Sequence, residues 1–336
     1  MSKMLGRSSD LHHPLGSTLK TPLLVPSFSS KGFGLDSDEK SEIKSIFSLV
    51  SEYLTDIMLI SAYDLSYSNL EPLKSSITEI VIVDSGGYEI SDYYDLSAVF
   101  RKPVQPKEWN LNLLRDVYDA WPEYIPAILV SYDHPSLRHS LQDQIESARS
   151  LFSHYPCQLH TFLIKPETKK QEYVQINNVI ANAKELIVFD SVGFTEKELG
   201  SSILDRMKNI AEIRISMDDA GVDIPIHIFG SLDPITSVLY FLSGAEVFDG
   251  LTWLRYGYDS GTSNYLTDRG ALRIGIDRRD DFLIAKTMQD NLGYLIELTH
   301  QMQIFLLDGD FQQLLHHSDF FRTSYDLLRT KIRRLN

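Results

Sequence analysis

The chain has 336 residues, a net charge of −14 and 43% hydrophobic residues, enough for one large α/β barrel with trimmings or for two medium domains. Its 17 Tyr and 16 Phe argue against disorder, and its single cysteine, Cys157, excludes an internal disulfide framework and a cysteine-rich zinc site. The acidic balance repels nucleic acid at long range, and the scarcity of cysteine suits a reducing, cytoplasmic setting.

Residues 1–20 are polar, lack the apolar core of a signal peptide, and read as a loose N-terminal arm. Thr21-Pro22-Leu23-Leu24-Val25-Pro26-Ser27 is a short apolar strand bounded by prolines. Ser37 to Tyr53 carries apolar residues at helical spacing, with Asp38 and Glu39 at its start where the helix dipole favours them. Strand-like runs follow at Ile57–Ser61, Ile80–Val83, Ile125–Ser131, Leu159–Ile164, Leu186–Phe189, Ile224–Phe229 and Val247–Phe248. Most are continuously apolar, as parallel strands buried on both faces must be. Helical periodicity separates them at Leu111–Ala120, Leu141–Phe152, Val174–Ala183, Glu196–Met217 and Pro234–Leu242.

With the first, that makes eight strands alternating with helices, the pattern of a (β/α)8 TIM barrel. A doubly wound sheet is the alternative, but no Gly-x-Gly-x-x-Gly follows the first strand. Downstream, Tyr256 to Asn264 reads as a loop, and Leu283 to His317 as one or two amphipathic helices with a break at Asp308-Gly309. Asp319 to Leu335 reads as a last helix. The expected organisation is an arm (1–20), a barrel (21–275) and C-terminal helices packed on it (276–336). No run of roughly 18 apolar residues appears, so no membrane span is expected.

Three of the strands lead into a carboxylate followed by a break: Asp84 before Ser85-Gly86-Gly87, Asp133 before His134-Pro135, and Asp249 before Gly250. In a barrel, side chains at strand C-termini face the active-site mouth. Each Asp alone is as readily a helix or turn cap. Three on one rim favour chemistry, and a pair of carboxylates is what cleavage at a sugar anomeric carbon needs. Gly86-Gly87 makes a turn where backbone can approach a flat ligand. Asp233 before Pro234 reads as a helix N-cap, and His227 as a barrel-interior histidine. The cationic residues Arg269, Arg273, Arg278, Arg279, Arg329, Lys331, Arg333 and Arg334 read as solvated helix ends and loops in preference to a nucleic-acid patch.

The order of these motifs resembles the tRNA-guanine transglycosylase superfamily, whose members exchange guanine for a 7-deazaguanine base. Asp84-Ser85-Gly86-Gly87-Tyr88 matches its Asp-Ser-Gly-Gly-Phe/Tyr signature, and Thr21 to Pro26 its opening Thr-Pro strand. Tyr132-Asp133-His134-Pro135 resembles the segment with the base-recognising Asp. Phe229 to Pro234 resembles the Gly-x-Gly-x-Pro turn, and Gly244 to Asp249 the Gly-x-x-x-Phe-Asp ending. Phe248 to Leu254 and Asn264 to Thr267 are closer to the archaeal and DNA-modifying branches. The resemblance spans residues 20 to 310.

It implies that Asp249 is the nucleophile, that Asp84 moves protons on the departing and incoming bases, and that Asp133 binds the base's amino and N–H edge. Ser85, Gly86 and Gly193 would line the base pocket. The family's Gln-Gly-Gly is replaced by Ile164-Lys165-Pro166-Glu167, so Lys165 or Glu167 meets a different group on the base. The family's zinc site is also missing. No cysteine follows the barrel, and Asp290-Asn291-Leu292 stands where its histidine is expected, so neither zinc nor another cofactor is expected. The implied partners are guanine or a 7-deazaguanine, with tRNA, DNA or a non-standard acceptor in an antiphage defence operon, and a second copy in a homodimer. The rival reading is a nucleobase-binding or scaffold subunit of a modification complex.

Overall fold

The computed structural model describes residues 4–34, 41–70, 78–91 and 106–332. The expected helix start at Asp38 and Glu39 lies outside these residues. A short hairpin comes first, β1 (Asp10–His12) with β2 (Thr18–Lys20). Eight parallel strands follow: β3 (Leu23–Phe28), β4 (Ile57–Ser61), β5 (Ile80–Asp84), β6 (Ala127–Val130), β7 (Leu159–Ile164), β8 (Ser191–Thr195), β9 (Ile226–Phe229) and β10 (Val247–Gly250). They close into a barrel in the order β10-β3-β4-β5-β6-β7-β8-β9. The chain is a (β/α)8 barrel with a helical extension.

Alternation along each strand sorts the side chains into two cores. Val25, Ile57, Leu59, Ile80, Ile82, Ile128, Val130 and Leu163 fill the barrel interior. Met58, Ile60, Val81, Val83, Leu129 and Phe162 face the helices outside. Burial on both faces is why these strands read as unbroken apolar runs. Several outer helices begin where a polar side chain satisfies free N–H groups. Asn110 caps Leu111–Asp119, Ser140 caps Leu141–Phe152, and Asp233 caps Pro234–Leu242, accepting from the Ile235 and Thr236 amides with Pro234 in the first turn. The expected N-cap role of Asp233 is thus observed.

Four expectations are corrected. Leu186–Phe189 is not a strand: residues Ala183–Val188 form a 3-10 turn, and the strand is Ser191–Thr195. Its inward positions, Ser191, Gly193 and Thr195, are small or polar, so it lacks the apolar signature that the turn mimics. The segment from Glu196 is no single helix; a short turn stops at Gly200 (φ +152°), and the helix proper is Ile203–Asp219. The expected loop after the barrel is a second hairpin, β11 (Tyr256–Asp259) with β12 (Thr262–Tyr265).

The fourth correction is the N-terminal arm, whose described residues, 4–20, are not loose. Leu11 and Leu19 of the first hairpin join the interior core at the strand starts. His13 Nε2 hydrogen-bonds the Ala127 carbonyl (3.1 Å) where β6 begins. The hairpin therefore closes the N-terminal end of the barrel.

After the barrel, a helix spans Asp280–Asp308 and ends at Gly309 in the left-handed conformation (φ +71°), the expected break. The last helix is Ser318–Lys331. No helix among the described residues is long and apolar enough to cross a membrane. The arginines Arg269, Arg273, Arg278 and Arg279 each lie within 4 Å of a carboxylate, on Asp290, Asp259, Asp277 and Asp281. They do not form an unneutralised basic patch.

Candidate active site

The closed barrel brings the three carboxylates to its C-terminal mouth. Asp84 is the last residue of β5, in register with Ser61 of β4. Asp249 lies within β10, in register with Val25 of β3. Asp133 sits beyond the end of β6 at Val130, in the loop that follows. All three are within electrostatic reach: the charges of Asp249 and Asp133 both act on Asp84.

Asp249 is 5% exposed and fully braced. Ser27 Oγ donates to its Oδ2 (2.8 Å), and His227 Nε2 donates to its Oδ1 (3.0 Å). The Gly230 amide adds a longer contact to Oδ1 (3.4 Å). Ser27 Oγ in turn accepts from the Gly250 amide (3.0 Å). The His227 ring stacks on Phe229 with centroids 3.8 Å apart. The interior placement of His227 was legible from its alternation, but its contact with Asp249 depends on the β9–β10 register, Val247 beside His227.

Asp84 has the opposite surroundings. Burial pushes its carboxyl up to about 8, and the charges of Glu89, Asp249 and Asp133 push the same way against the Ser85 amide. Glu89, absent from the sequence reading, is 7% exposed and takes a hydrogen bond from Ser29. Burial raises its pKa too, against the Ser29 bond, the Ser61 hydroxyl and the Lys31 ammonium. Asp64, fully buried after β4, is raised to about 7 by burial and by Glu89. This side of the mouth therefore gathers three carboxyls whose pKa values are all raised.

Asp133 is held between two cations. Arg138 Nη1 lies 3.1 Å from Oδ1 and Lys165 Nζ 3.3 Å from Oδ2. Lys165 also reaches Glu198 Oε2 (2.8 Å) and donates to Thr195 Oγ1 (3.0 Å). Burial opposes the charge on Lys165, but Asp133 and Glu198 outweigh it and leave its pKa raised. Glu198 is 5% exposed, and its Oε1 has no hydrogen-bond partner among the described residues. Glu167, the other candidate from the replaced motif, turns away: it accepts from Asn178 Nδ2 (2.6 Å) and the Leu141 amide (3.4 Å).

The glycines earn their places by close approach. Gly86 (φ +81°) leaves no room for a side chain against Trp109, whose Nε1 donates to the Ser85 carbonyl (2.9 Å). Trp109 and Tyr63 occupy the space beside the Gly86 Cα, and Ser85 is 1% exposed. A Cβ on Gly87 would come within 2.8 Å of Asp133 Oδ2, so the turn after Asp84 abuts Asp133. Gly193, inside β8, faces the Phe229 ring, which occupies the space of a side chain there.

A cavity of about 420 Å³ opens beside this cluster, lined by Tyr132, Asp133, His134, Arg138 and Lys165 among others. Its lining does not include Asp84 or Asp249. Among the described residues no three His, Cys, Asp or Glu side chains are grouped to hold a metal ion. At the position where the resemblance expects a zinc-ligating histidine, Asn291 is fully buried and makes three hydrogen bonds of 2.7 Å to the segment after Asp249.

Fold and site together define a (β/α)8 barrel with carboxylates on its C-terminal mouth, one braced by donors and one holding a proton. No protein-family model matches the chain. It is 22% identical over 279 residues to the tRNA-guanine(15) transglycosylase of Haloferax volcanii, a match that covers 80% of this chain and 50% of that protein. The chain thus spans about half the length of the curated relative it matches. That relative carries the name of the family that the motifs resemble.

Proposed function

We propose that the chain is a base-exchange transglycosylase acting through Asp249 and Asp84. The Asp249 carboxylate attacks the anomeric carbon of a nucleotide's sugar, and the bond to guanine breaks with its electron pair going to the base nitrogen. Asp84 supplies the proton to that nitrogen. The resulting Asp249–sugar ester is attacked by a free guanine or 7-deazaguanine, whose ring N–H proton passes to Asp84, and the Asp249 carboxylate is released. Asp133 and Lys165 meet the base, with Ser85, Gly86 and Gly193 shaping its surroundings. Residues 21–275 carry the chemistry and 276–336 brace it.

The observation that carries this reading is the contrast between the two carboxylates. Asp249 receives two short hydrogen bonds that hold its carboxylate in place, whereas Asp84 is pushed up to about 8 and keeps a proton to give. Two carboxylates in such unlike surroundings can divide nucleophile from acid. The acceptor is tRNA or DNA. The Phe248-to-Leu254 segment favours the archaeal and DNA-modifying branches, without the family's zinc.

One observation favours a second reading. Asp133, the base-reading carboxylate, is already occupied by Arg138 and Lys165. A subunit that binds a nucleobase without exchanging it would share this arrangement. Incubation with radiolabelled guanine and either unfractionated tRNA or duplex DNA separates the two. Exchange is expected with one of these polymers, and a covalent protein–polymer adduct is expected in denaturing gels. Asp249→Asn should reduce exchange by about a thousandfold or more. Exchange by that variant at the wild-type rate would sink the enzymatic reading.

A further inference from the structure

The segment that follows Asp249 is gripped from behind by the helix Asp280–Asp308. Asn291, on that helix, is fully buried. Its Nδ2 donates to the carbonyls of Trp253 and Tyr256, each at 2.7 Å, and its Oδ1 accepts from the Tyr258 amide at 2.7 Å. One side chain thus ties the turn after the last barrel strand to the first strand of the hairpin β11–β12.

Trp253 carries the grip inward. It is fully buried, its ring meets Phe28 edge-to-face at 5.4 Å, and its Nε1 donates to the Ser27 carbonyl (3.2 Å). Ser27 is 3% exposed and donates its hydroxyl to Asp249 Oδ2 (2.8 Å) while accepting from the Gly250 amide (3.0 Å). With its single proton given to Asp249 and the Gly250 amide on its lone pair, the hydroxyl has one orientation open to it. The path from Asn291 through Trp253 and Ser27 to Asp249 is buried throughout, so water cannot replace a lost member.

We propose that Asn291 and Trp253 are positioning residues for Asp249, coupling the C-terminal helix to the carboxylate across the end of β3. Neither side chain hydrogen-bonds Asp249 itself; Ser27 transmits their constraint. A carboxylate that must meet a sugar carbon in line has little tolerance, since a displacement of about 1 Å can cost on the order of a hundredfold in rate. This inference rests on the reading of Asp249 as nucleophile, but the bracket itself is measurable without turnover.

The test uses the full chain in six forms: wild type, Trp253→Phe, Asn291→Leu, Ser27→Ala, the Ser27→Ala/Trp253→Phe double variant and Asp249→Asn. Phenylalanine keeps most of the packing of Trp253 and removes the Nε1 donor. In Trp253→Phe, guanine exchange into tRNA or DNA should slow about tenfold, while the guanine Kd from calorimetry stays at the wild-type value. Hydrogen exchange at the Gly250 amide should rise about tenfold, with the Asp84–Gly86 peptide unchanged. The Ser27→Ala/Trp253→Phe double variant should be no slower than Ser27→Ala alone, because both cut one path. Asn291→Leu should show the same pattern more strongly; if it fails to fold, Trp253→Phe decides alone. Wild-type turnover and wild-type Gly250 exchange in Trp253→Phe would overturn the proposal. If Asp249→Asn still exchanges base, the transglycosylase reading falls instead, and hydrogen exchange still decides whether the bracket exists.

Discussion

His227 Nε2 stands 3.0 Å from Asp249 Oδ1 inside the barrel, with both side chains nearly excluded from solvent. A carboxylate oxygen accepts, so the imidazole nitrogen facing it carries the hydrogen and the ring serves as a donor. Phe229, stacked on the ring, holds it at that angle.

His227→Leu should therefore lower the exchange rate by about a hundredfold, whereas His227→Gln, whose amide nitrogen reaches a similar point, should stay within about tenfold of wild type. Steady-state kinetics on the two variants, with melting temperatures beside them, checks this. Equal losses in both would assign His227 to packing alone.

Asp84 makes the protein sensitive to alkali. Its folded pKa, about 8, lies above the ordinary value of 3.8, so between these limits the folded chain holds a proton that the unfolded chain has lost. Unfolding then releases a proton, and stability falls as pH rises from about 4 to 8. Asp84→Asn should flatten that slope by about 2 kcal/mol, less than the full shift implies because the mouth is partly solvated. Urea unfolding at a series of pH values reads it. If Asp84 gives the leaving base its proton, as proposed, exchange by the wild type should also decline as pH passes about 8.

The barrel was largely legible because its strands are buried on both faces and spell continuous apolar runs. Legibility failed where inward positions are small or polar. β8 presents Ser191, Gly193 and Thr195 inward, and the nearby Leu186–Phe189 outscored it in apolar character while folding as a turn. At the site, Asp84, Asp249 and Asp133 could be named from strand ends. Glu89 and Glu198 could not. Both are charged residues in turns, where exposure is the expected state, and only tertiary packing buries them.

Glu198 and Lys165 should behave as one unit. Lys165→Met removes the cation between two largely buried carboxylates and should cost about 2–4 kcal/mol in stability. Lys165→Met/Glu198→Leu should recover part of that loss, since Arg138 still neutralises Asp133. Chemical denaturation of the single and double variants measures it; a double variant worse than the single would show that Glu198 is satisfied by something else.

Metal removal should have no effect. Purified protein is expected to hold less than about 0.1 zinc per chain by elemental analysis, and chelator should leave its melting temperature unchanged, as suits a brace built on an amide. Stoichiometric zinc would contradict this.

Side chains pack the barrel interior, and Leu11 and Leu19 of the first hairpin cover its far end. Whatever reaches Asp249 and Asp84 enters and leaves by one mouth. For a base exchange this imposes an order of events: the old base must clear the site before the new one occupies it, while the sugar waits on the protein. Initial rates with varied nucleic acid and base should then give parallel double-reciprocal lines, and guanine should compete with the incoming base for a single place.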